Sequence, residues 1–236
     1  MLALALDAST RTTHLALRRD NHLLATHELR PQQRHELNLL PALADLFTQH
    51  QLTPRDLTHL AIVTGPGSFT GLRAACAAAQ MLALTQPHLA LHPIPTLTAL
   101  ARSPRISSVG TPTAILLARK RNTAYAALTH HGQLLTEPAV HLIQDFLQDC
   151  LHRRPDFSRD APPAPPPPPL HVLADTDLQL NLPNITQLPT HDVAPDPTAV
   201  LDLIPETPPI PAHQLQPLYP RQPEALTLWQ QRNQPS

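Results

Sequence analysis

The sequence predicts an α/β fold in which a mixed sheet is flanked by helices, and three observations support this class. The run LALAL at residues 2–6 is apolar on both faces, as expected of a central strand that is covered on both sides. Strand and helix periodicities then alternate through the first half of the chain. Two antiparallel connections are followed by crossover connections, which predicts a sheet with both kinds of pairing.

The elements of the first half follow from periodicity and from turn signals. Asp7 ends the first strand, and Asp20-Asn21 forms a hairpin turn between strands at 14–18 and 22–29. Leucines and a phenylalanine at helical spacing predict a first amphipathic helix from about residue 35 to 50. The remaining predicted elements are a one-turn segment begun by Thr53-Pro54, strands at 60–63 and 89–94, and helices at 69–85 and 96–102.

The second half is less regular and richer in proline. Strands at 114–118 and 123–130 are predicted to be neighbours joined by a basic turn. The stretch at 155–169 contains APPAPPPPP and is predicted to be a stiff, solvated polyproline segment. A helix at 141–151, a strand at 170–175, a short helix at 196–204 and an extended C-terminal stretch complete the prediction.

The composition argues against several functional classes. Charged residues make up 15% of the 236 residues and the net charge is −1, so a polynucleotide would be bound mainly through another subunit. Cys76 and Cys150 do not indicate a disulfide scaffold, and Cys76 is predicted to be a buried thiol. The N-terminal apolar run is short and has no basic region. We therefore expect no signal peptide, no membrane span and a cytoplasmic location.

A glycine-rich turn is the first candidate site. Gly65, Gly67 and Gly71, three of the five glycines, lie in VTGPGSFTGLR at residues 63–73. Free backbone N–H groups and the dipole of the following helix can face one anion at such a turn. The spacing matches neither the Walker loop nor the dinucleotide fingerprint, so phosphate binding and ordinary turn chemistry both stay open. The adjoining polar residues are Ser68, Thr70 and Arg73.

A second polar group, Asp7-Ala8-Ser9-Thr10, lies at the end of the first strand. An aspartate followed by hydroxyls can coordinate a metal–phosphate through water, as in actin-like ATPases. Those enzymes usually have glycine where this chain has Ala8. The alternative is that Asp7 and Ser9 only close a turn.

No metal site and no catalytic constellation follow from local spacing. His88 and His92 form the one His-x-x-x-His pair, but LHPIP interrupts any helix there. On a strand, positions four apart lie roughly 13 Å from each other, too far to bind one ion directly. Ser68 does not lie in the G-x-S-x-G pattern of a nucleophile elbow. We expect no catalytic residue, no metal and no cofactor.

The two long helices carry faces that suit a protein partner as well as a core. Ala75, Ala79 and Ala83 recur at four-residue spacing, which lets another helix come close. Ordinary packing of both helices on their sheet explains the pattern equally well. The predicted partner-binding residues are Leu39, Leu40, Leu43, Phe47, Leu72, Ala75, Ala79 and Ala83.

Several segments together resemble the TsaB (YeaZ) family. GPGSFTGLR is the specific part of the match, which spans most of the chain in the correct order. The other segments are LALDAST at the start, HELNLLP at 35–41, AQMLAL at 79–84, LARKRNTAYAAL at 117–128 and PLYPR at 217–221.

The resemblance implies an actin-like ATPase (ribonuclease H-like) fold with two lobes. Residues 1–102 would form the first lobe, with the partner-binding helices. Residues 103–215 would form a smaller degenerate lobe containing the Pro-rich insertion at 155–169, and residues 216–236 an extended tail.

The resemblance also implies a function in tRNA modification. In such systems TsaD carries the metal and transfers a threonylcarbamoyl group to N6 of adenosine 37 in tRNAs that read ANN codons. The TsaB subunit is non-catalytic and binds TsaD through the two helices beside the glycine turn, and the ATPase TsaE docks on the pair. tRNA is expected to bind only through the complex, and a homodimer is expected when the chain is alone.

Three departures from the family pattern bear on the site. The run AACAA at 74–78 adds Cβ atoms where relatives have glycine, Leu117 replaces an aspartate, and the proline tract is extra. A working ATPase built on Asp7, Thr10 and the 65–71 turn is the alternative function. We expect instead a remnant of a nucleotide site, made of Asp7, Ser9, Thr10, Gly65, Gly67, Ser68, Thr70, Gly71 and Arg73.

Overall fold

The computed structural model describes residues 1–30, 39–118, 122–152, 169–175, 184–188 and 193–219. Its first sheet has five strands in the order β3-β2-β1-β4-β5. The strand β1 pairs antiparallel with β2 and parallel with β4, so the mixed sheet predicted from the connections is confirmed. The strands are β1 (Leu2–Asp7), β2 (Thr13–Arg19), β3 (His22–Leu29), β4 (His59–Gly65) and β5 (Ala90–Pro95).

The alternation of side chains in β1 sets the two layers around this sheet. Leu2, Leu4 and Leu6 belong to one core cluster, while Ala3 and Ala5 belong to another. Large side chains therefore point to one face and methyl groups to the other, as the two-residue period of a strand requires.

Helices cover both faces of the first sheet. Two of them, α1 and α2, share the core cluster of the β1 leucines. Val200 and Leu201 of α6 pack on the alanine face, and α3 contributes to both this cluster and the core of a second sheet. The helices are α1 (Leu39–Gln49), α2 (Phe69–Thr85), α3 (Thr96–Arg102), α4 (Pro104–Ser107), α5 (Ile143–His152) and α6 (Pro197–Asp202).

The second sheet has six strands and is also mixed. Its main path is β11-β10-β6-β7-β8, and β9 pairs with β7 beside that path. The helix α5 packs on one face through Ile143, Phe146, Leu147 and Cys150. The strands are β6 (Thr113–Ala118), β7 (Thr123–His130), β8 (Gln133–Leu134), β9 (Ala139–Leu142), β10 (Leu170–Ala174) and β11 (Ile185–Gln187).

Most predicted elements are confirmed, several boundaries differ from the prediction by one or two residues, and the short elements α4, β8, β9 and β11 were not predicted. The helix predicted from residue 141 begins at Ile143, because Ala139–Leu142 pair with β7 as the strand β9. The predicted polyproline stretch lies outside the described residues except at Pro169, and residues 35–38 of the first predicted helix lie outside them too. Among the residues described, no helix combines the length and hydrophobicity needed to cross a bilayer.

The segment from Thr207 to Tyr219, called the strap below, returns from α6 to the first sheet. The Ile210 N–H donates to the Leu91 carbonyl at 2.9 Å, and the Leu218 N–H donates to the Thr64 carbonyl at 2.7 Å. Between these points the side-chain amide of Gln80 on α2 donates to two strap carbonyls. The strap is therefore fixed to β5, α2 and β4 in turn.

Candidate functional site

The glycine turn links β4 to α2 and is tied to the end of β1. The Ser68 N–H donates to the Ser9 carbonyl at 2.6 Å. The Ser68 hydroxyl accepts from the Gly71 N–H at 3.3 Å and so caps the first turn of α2. Two backbone amides that could face an anion are thus used within the protein.

The glycines of the turn allow its backbone to press against the end of β1. A Cβ on Gly67 would lie 2.3 Å from the Ser9 carbonyl oxygen, and one on Gly71 would lie 2.2 Å from the Ala8 carbonyl oxygen. Gly65 has φ +119° and lies against the Leu218 backbone of the strap. These glycines are therefore explained by close packing between backbones, without any bound phosphate.

Asp7 is fully buried at the end of β1. Its Oδ1 accepts from the Ser9 N–H at 2.8 Å, while Oδ2 has no hydrogen-bond partner among the described residues. The Nδ1 atom of His14 lies 3.9 Å from Oδ2. Burial raises the pKa of the Asp7 carboxyl, although Ser9 and His14 act in the opposite direction. A carboxyl held this way favours its neutral form.

The remaining polar residues of the predicted site lie in different surroundings and do not form one group. Ser9 is buried, and its hydroxyl has no partner in the described part of the chain. The Thr10 hydroxyl donates to the Thr12 carbonyl and closes a local turn. Thr70 is exposed on α2, and the Arg73 guanidinium lies over the Phe69 ring at 5.1 Å from its centroid. Arg73 therefore belongs to the α2 surface.

A cleft of about 460 Å³ lies between the two sheets. Ser9, Thr10, Gly67 and Ser68 line one side of it. The other side includes Leu117, which also packs in the core of the second sheet. Leu117 makes this position apolar, while Asp175, directly after β10, adds a carboxylate to the same side of the cleft. The cleft combines hydroxyls with hydrophobic surface and brings together only part of the predicted site.

His88 and His92, which the sequence argued against as a metal site, lie in different surroundings, and His92 pairs with another histidine. His88 is exposed before β5, whereas His92 is buried and its Nε2 atom lies 2.9 Å from Nδ1 of His59 on β4. Within the described ranges, no three His, Cys, Asp or Glu side chains are grouped so that they could hold a metal ion.

The residues predicted to bind a partner lie mostly in the core. Leu39, Leu43 and Phe47 of α1 are buried, and so are Leu72, Ala75 and Ala79 of α2. Ala83 is partly buried against the same cluster, and Leu40 is exposed. These side chains pack against the first sheet, on the side of the β1 leucines. Most of them are therefore buried within the monomer and do not form an exposed surface for a partner.

The exposed side of α2 carries a different apolar set, called the α2 stripe below. Phe69, Met81 and Leu84 are 57%, 58% and 78% exposed, and the exposed Ala77 lies between them. Spacings of three, four and eight residues place all four on one side of the helix. Tyr219 of the strap extends the surface, with its ring centroid 5.2 Å from that of Phe69. Arg73 is the one charged residue in the sequence of α2.

The α2 stripe was not predicted from the sequence, although its α2 residues lie in the helix predicted at 69–85. A helix that is apolar on all sides does not reveal which side meets the sheet. The signal that could have identified the stripe is the near absence of charge in a helix as long as α2.

Two solved structures from Pseudomonas aeruginosa have a similar fold. One is YeaZ, and the other is described as an uncharacterized protein with similarity to peptidase YeaZ; their TM-scores are 0.67 and 0.68. Sequence identities are 21% and 20%, and the alignments cover 92% and 93% of this chain and 99% of each of the others. The predicted class, an actin-like α/β fold with mixed sheets flanked by helices, is confirmed.

Curated relatives are more similar over a shorter stretch. The tRNA threonylcarbamoyladenosine biosynthesis protein TsaB of Bacillus subtilis is 33% identical over 104 residues, 43% of this chain and 45% of that protein. TsaB of Escherichia coli is 39% identical over 84 residues, 36% of each chain. The chain therefore matches less than half of the length of these relatives.

A family model gives the longest sequence match. The model described as TsaD, tRNA N6-adenosine threonylcarbamoyltransferase, matches residues 28–160, which is more than half of the chain. This match, the curated relatives and the fold agree with the motifs seen in the sequence. The chain belongs to the family that the TsaD model describes, and the curated relatives and the YeaZ structures support its resemblance to TsaB (YeaZ).

Proposed function

We propose that this chain is a non-catalytic subunit that binds TsaD and supports threonylcarbamoyl transfer to N6 of adenosine 37 in ANN-decoding tRNAs. The names of the relatives place them in threonylcarbamoyladenosine biosynthesis. The observation that carries the proposal for this chain is the α2 stripe. It is an exposed, largely apolar surface on a 17-residue helix, and the one charged residue of that helix, Arg73, lies between Phe69 and Ala77 at four-residue spacing.

Such a surface is better explained by a protein partner than by solvent. Exposed sides of helices are normally polar or charged, and large exposed apolar patches mark interaction sites. Each Å² of apolar surface that a partner covers contributes about 25 cal/mol. Leu40, 55% exposed on α1, lies on a helix that covers the same sheet face as α2. We propose that TsaD covers the α2 stripe together with Leu40.

The geometry of the glycine turn supports a non-catalytic function. Two of its backbone N–H groups donate hydrogen bonds to Ser9 and Ser68. Its glycines pack against the end of β1, where Asp7 is buried. We propose that these residues are a remnant of a nucleotide site, and that the turn now fixes the angle between β4 and α2.

The binding proposal is tested by co-elution of the purified chain with its cognate TsaD. A Met81→Arg variant should remain folded, because Met81 is exposed, but it should bind TsaD at least tenfold more weakly. Leu23→Arg is the matched control, since Leu23 is a similarly exposed apolar residue on β3. Equal binding by wild type and Met81→Arg would contradict the proposed interface.

The functional proposal is tested by reconstituting tRNA modification with TsaD, TsaE, threonine, bicarbonate and ATP. We expect activity to require this chain and to survive its Asp7→Asn substitution. Loss of activity in Asp7→Asn, with TsaD binding intact, would favour a catalytic function of this chain.

An ATPase of the actin-like type is the second candidate, and the cleft of about 460 Å³ is the observation in its favour. Calorimetry of the isolated chain with ATP and magnesium separates the two. A magnesium-dependent signal at micromolar concentration would favour the ATPase, and its absence is the result that we expect.

The wider assembly is also proposed. We expect TsaE to dock on the pair, tRNA to bind only through the complex, and the isolated chain to form a homodimer through the same apolar surface. The proposed location is the cytoplasm, in agreement with a buried Cys76 thiol that forms no disulfide. Size-exclusion chromatography with light scattering, with and without TsaD, measures the oligomeric states.

A division into two lobes is proposed near residue 102, with one amendment. Helix α6 packs on the alanine face of the first sheet, and the strap bonds to Leu91 and Thr64. We therefore propose that residues 196–219 belong to the first lobe, together with residues 1–102.

A further inference from the structure

Two histidines on neighbouring strands connect the first sheet to the beginning of the strap. In the parallel register His59 lies opposite Ala90, and His92 lies opposite Ala61. The two histidines are thus diagonal neighbours on one face, with ring centroids 5.2 Å apart. The Nδ1 atom of His59 lies 2.9 Å from Nε2 of His92, and Nδ1 of His92 lies 2.6 Å from the Thr207 carbonyl oxygen.

The carbonyl at the end of this chain fixes where the hydrogens are. A carbonyl oxygen only accepts, so Nδ1 of His92 carries a hydrogen and donates it to Thr207. In the neutral ring, Nε2 of His92 is then an acceptor, and it receives the hydrogen on Nδ1 of His59. The neutral pair is therefore fully matched, with each donor facing one acceptor.

Only one additional proton fits this arrangement. A proton on Nε2 of His59 leaves the bond to His92 intact. A second proton, on Nε2 of His92, would place an N–H group against the N–H of His59 and break the bond. The closed arrangement thus holds fewer protons than two histidines in water can bind.

We propose that His59, His92 and Thr207 form a pH-sensitive latch that keeps the strap closed at neutral pH and weakens as the pH falls below about 6.5. The strap carries Tyr219, which packs on Phe69, and its backbone lies against Gly65. Opening would therefore change the surface at the start of α2. The latch is a property of the isolated chain and does not depend on the proposed function.

The groups around the latch also disfavour the protonation of His59. Burial lowers the pKa of His59, and the neighbouring His92 and the N-terminal amine lower it further. Other charged groups on the adjoining elements have partners of their own: Asp20 binds the N-terminal amine, Asp56 accepts from Thr53, and Glu206 pairs with Arg102. His88 and His213, next to β5 and on the strap, are both exposed.

The lowered pKa of His59 determines whether the latch strengthens or weakens as the pH falls. A histidine whose pKa is lower in the closed state than in the open state binds its proton more readily after opening. The latch is therefore fully effective above about pH 6.5 and is progressively lost below it. One proton of difference gives at most about a tenfold change in the opening equilibrium per pH unit.

The test is hydrogen exchange of the full chain, read as protection factors for peptides covering the strap at pH 7.5, 6.5 and 5.5. The strand β7 is the internal reference because it pairs within the second sheet. We expect strap protection to fall by up to about tenfold from pH 6.5 to 5.5, with little change in β7. Constant strap protection, or an equal fall in β7, would overturn the proposal.

Two variants separate the latch from other titrations. In His59→Asn the side-chain amide does not titrate, and it can donate to a neutral Nε2 of His92 or accept from a protonated one, so strap protection should become independent of pH. His213→Gln removes an exposed strap histidine and should behave as wild type. An unchanged pH dependence in His59→Asn would overturn the proposal.

A measurement on the unmodified chain covers the case in which His59→Asn does not fold. Nitrogen-15 NMR of the two rings should show one added proton on the His59–His92 pair, and not two, for as long as the strap stays protected. Two added protons with the strap still protected would contradict the latch.

Discussion

The carbonyl oxygen of Ala8 occupies the space that a side chain on Gly71 would need, because a Cβ there would lie 2.2 Å from it. This contact joins the first turn of α2 to the end of β1. It shows that the glycine turn is held by packing between two backbones, and that the space between them is filled.

This contact predicts that Gly71→Ala destabilises the protein. A methyl group has to push the two backbones apart, which costs about 1–3 kcal/mol in a well-packed site. Urea denaturation followed by circular dichroism measures the change. Gly110→Ala is the matched control, because a Cβ on Gly110 meets nothing within 4 Å. Equal stability of the two variants would contradict the packing explanation.

The buried carboxyl of Asp7 predicts that Asp7→Asn stabilises the protein at pH 7. The pKa of Asp7 is raised above its ordinary value of 3.8, so the folded state holds its proton more tightly than the unfolded chain. The contribution of Asp7 to stability therefore falls as the pH rises through the raised pKa. Asparagine carries no charge, so it removes the cost of burying an ionised carboxylate, and it still accepts from the Ser9 N–H. The free energy of unfolding should rise by about 1–3 kcal/mol.

Denaturation curves of wild type and Asp7→Asn at pH 7 and pH 4 check this prediction. The advantage of Asp7→Asn should shrink at pH 4, because close to the ordinary pKa of 3.8 the carboxyl of the unfolded chain also begins to bind a proton. A variant that is less stable than wild type at pH 7 would show that the carboxylate contributes favourably to the fold.

Ala79 and Ala77, two positions apart on α2, predict opposite outcomes for the same substitution. Ala79 is fully buried against the sheet, so Ala79→Arg places a charge in the core and should prevent folding. Ala77 is exposed in the α2 stripe, so Ala77→Arg should fold and lose binding to TsaD. Circular dichroism and co-elution with TsaD separate the two effects. A folded Ala79→Arg variant would contradict the placement of the helix.

The two cysteines are predicted to be unreactive in the folded protein. Both are buried, and burial raises the pKa of the Cys76 thiol to about 11. Because the thiolate is the reactive form, modification of Cys76 by Ellman's reagent at pH 8 should be about a hundredfold slower than for an exposed thiol. Both should react in urea. Stoichiometric modification of the folded protein within minutes would contradict the burial of these side chains.

Elements with strong local signals were predicted well from the sequence. The bounds of β3, α2, α3 and β7 agree with the prediction. For α2 the reason is local, because Ser68 caps its first turn and the glycine turn sets its direction. The start of α5 was predicted two residues too early, since Val140 and Leu142 of β9 pair with a strand that precedes them in the chain.

The candidate site was less predictable, because its contacts join distant parts of the chain. The spacing of His88 and His92 correctly argued against a shared ion, but nothing local pairs His92 with His59. The return of the strap to Gly65 and Gln80 is likewise a long-range contact.

The sequence by itself determined most of the longer strands and helices and the class of fold, because periodicity, caps and turn residues act over a few neighbouring positions. Only the tertiary structure decided which side of α2 is covered and which histidines meet. The physical reason is that α2 is apolar on both sides. Which side of α2 becomes buried is therefore set by the leucines of β1, which lie beneath the helix only once the sheet has formed.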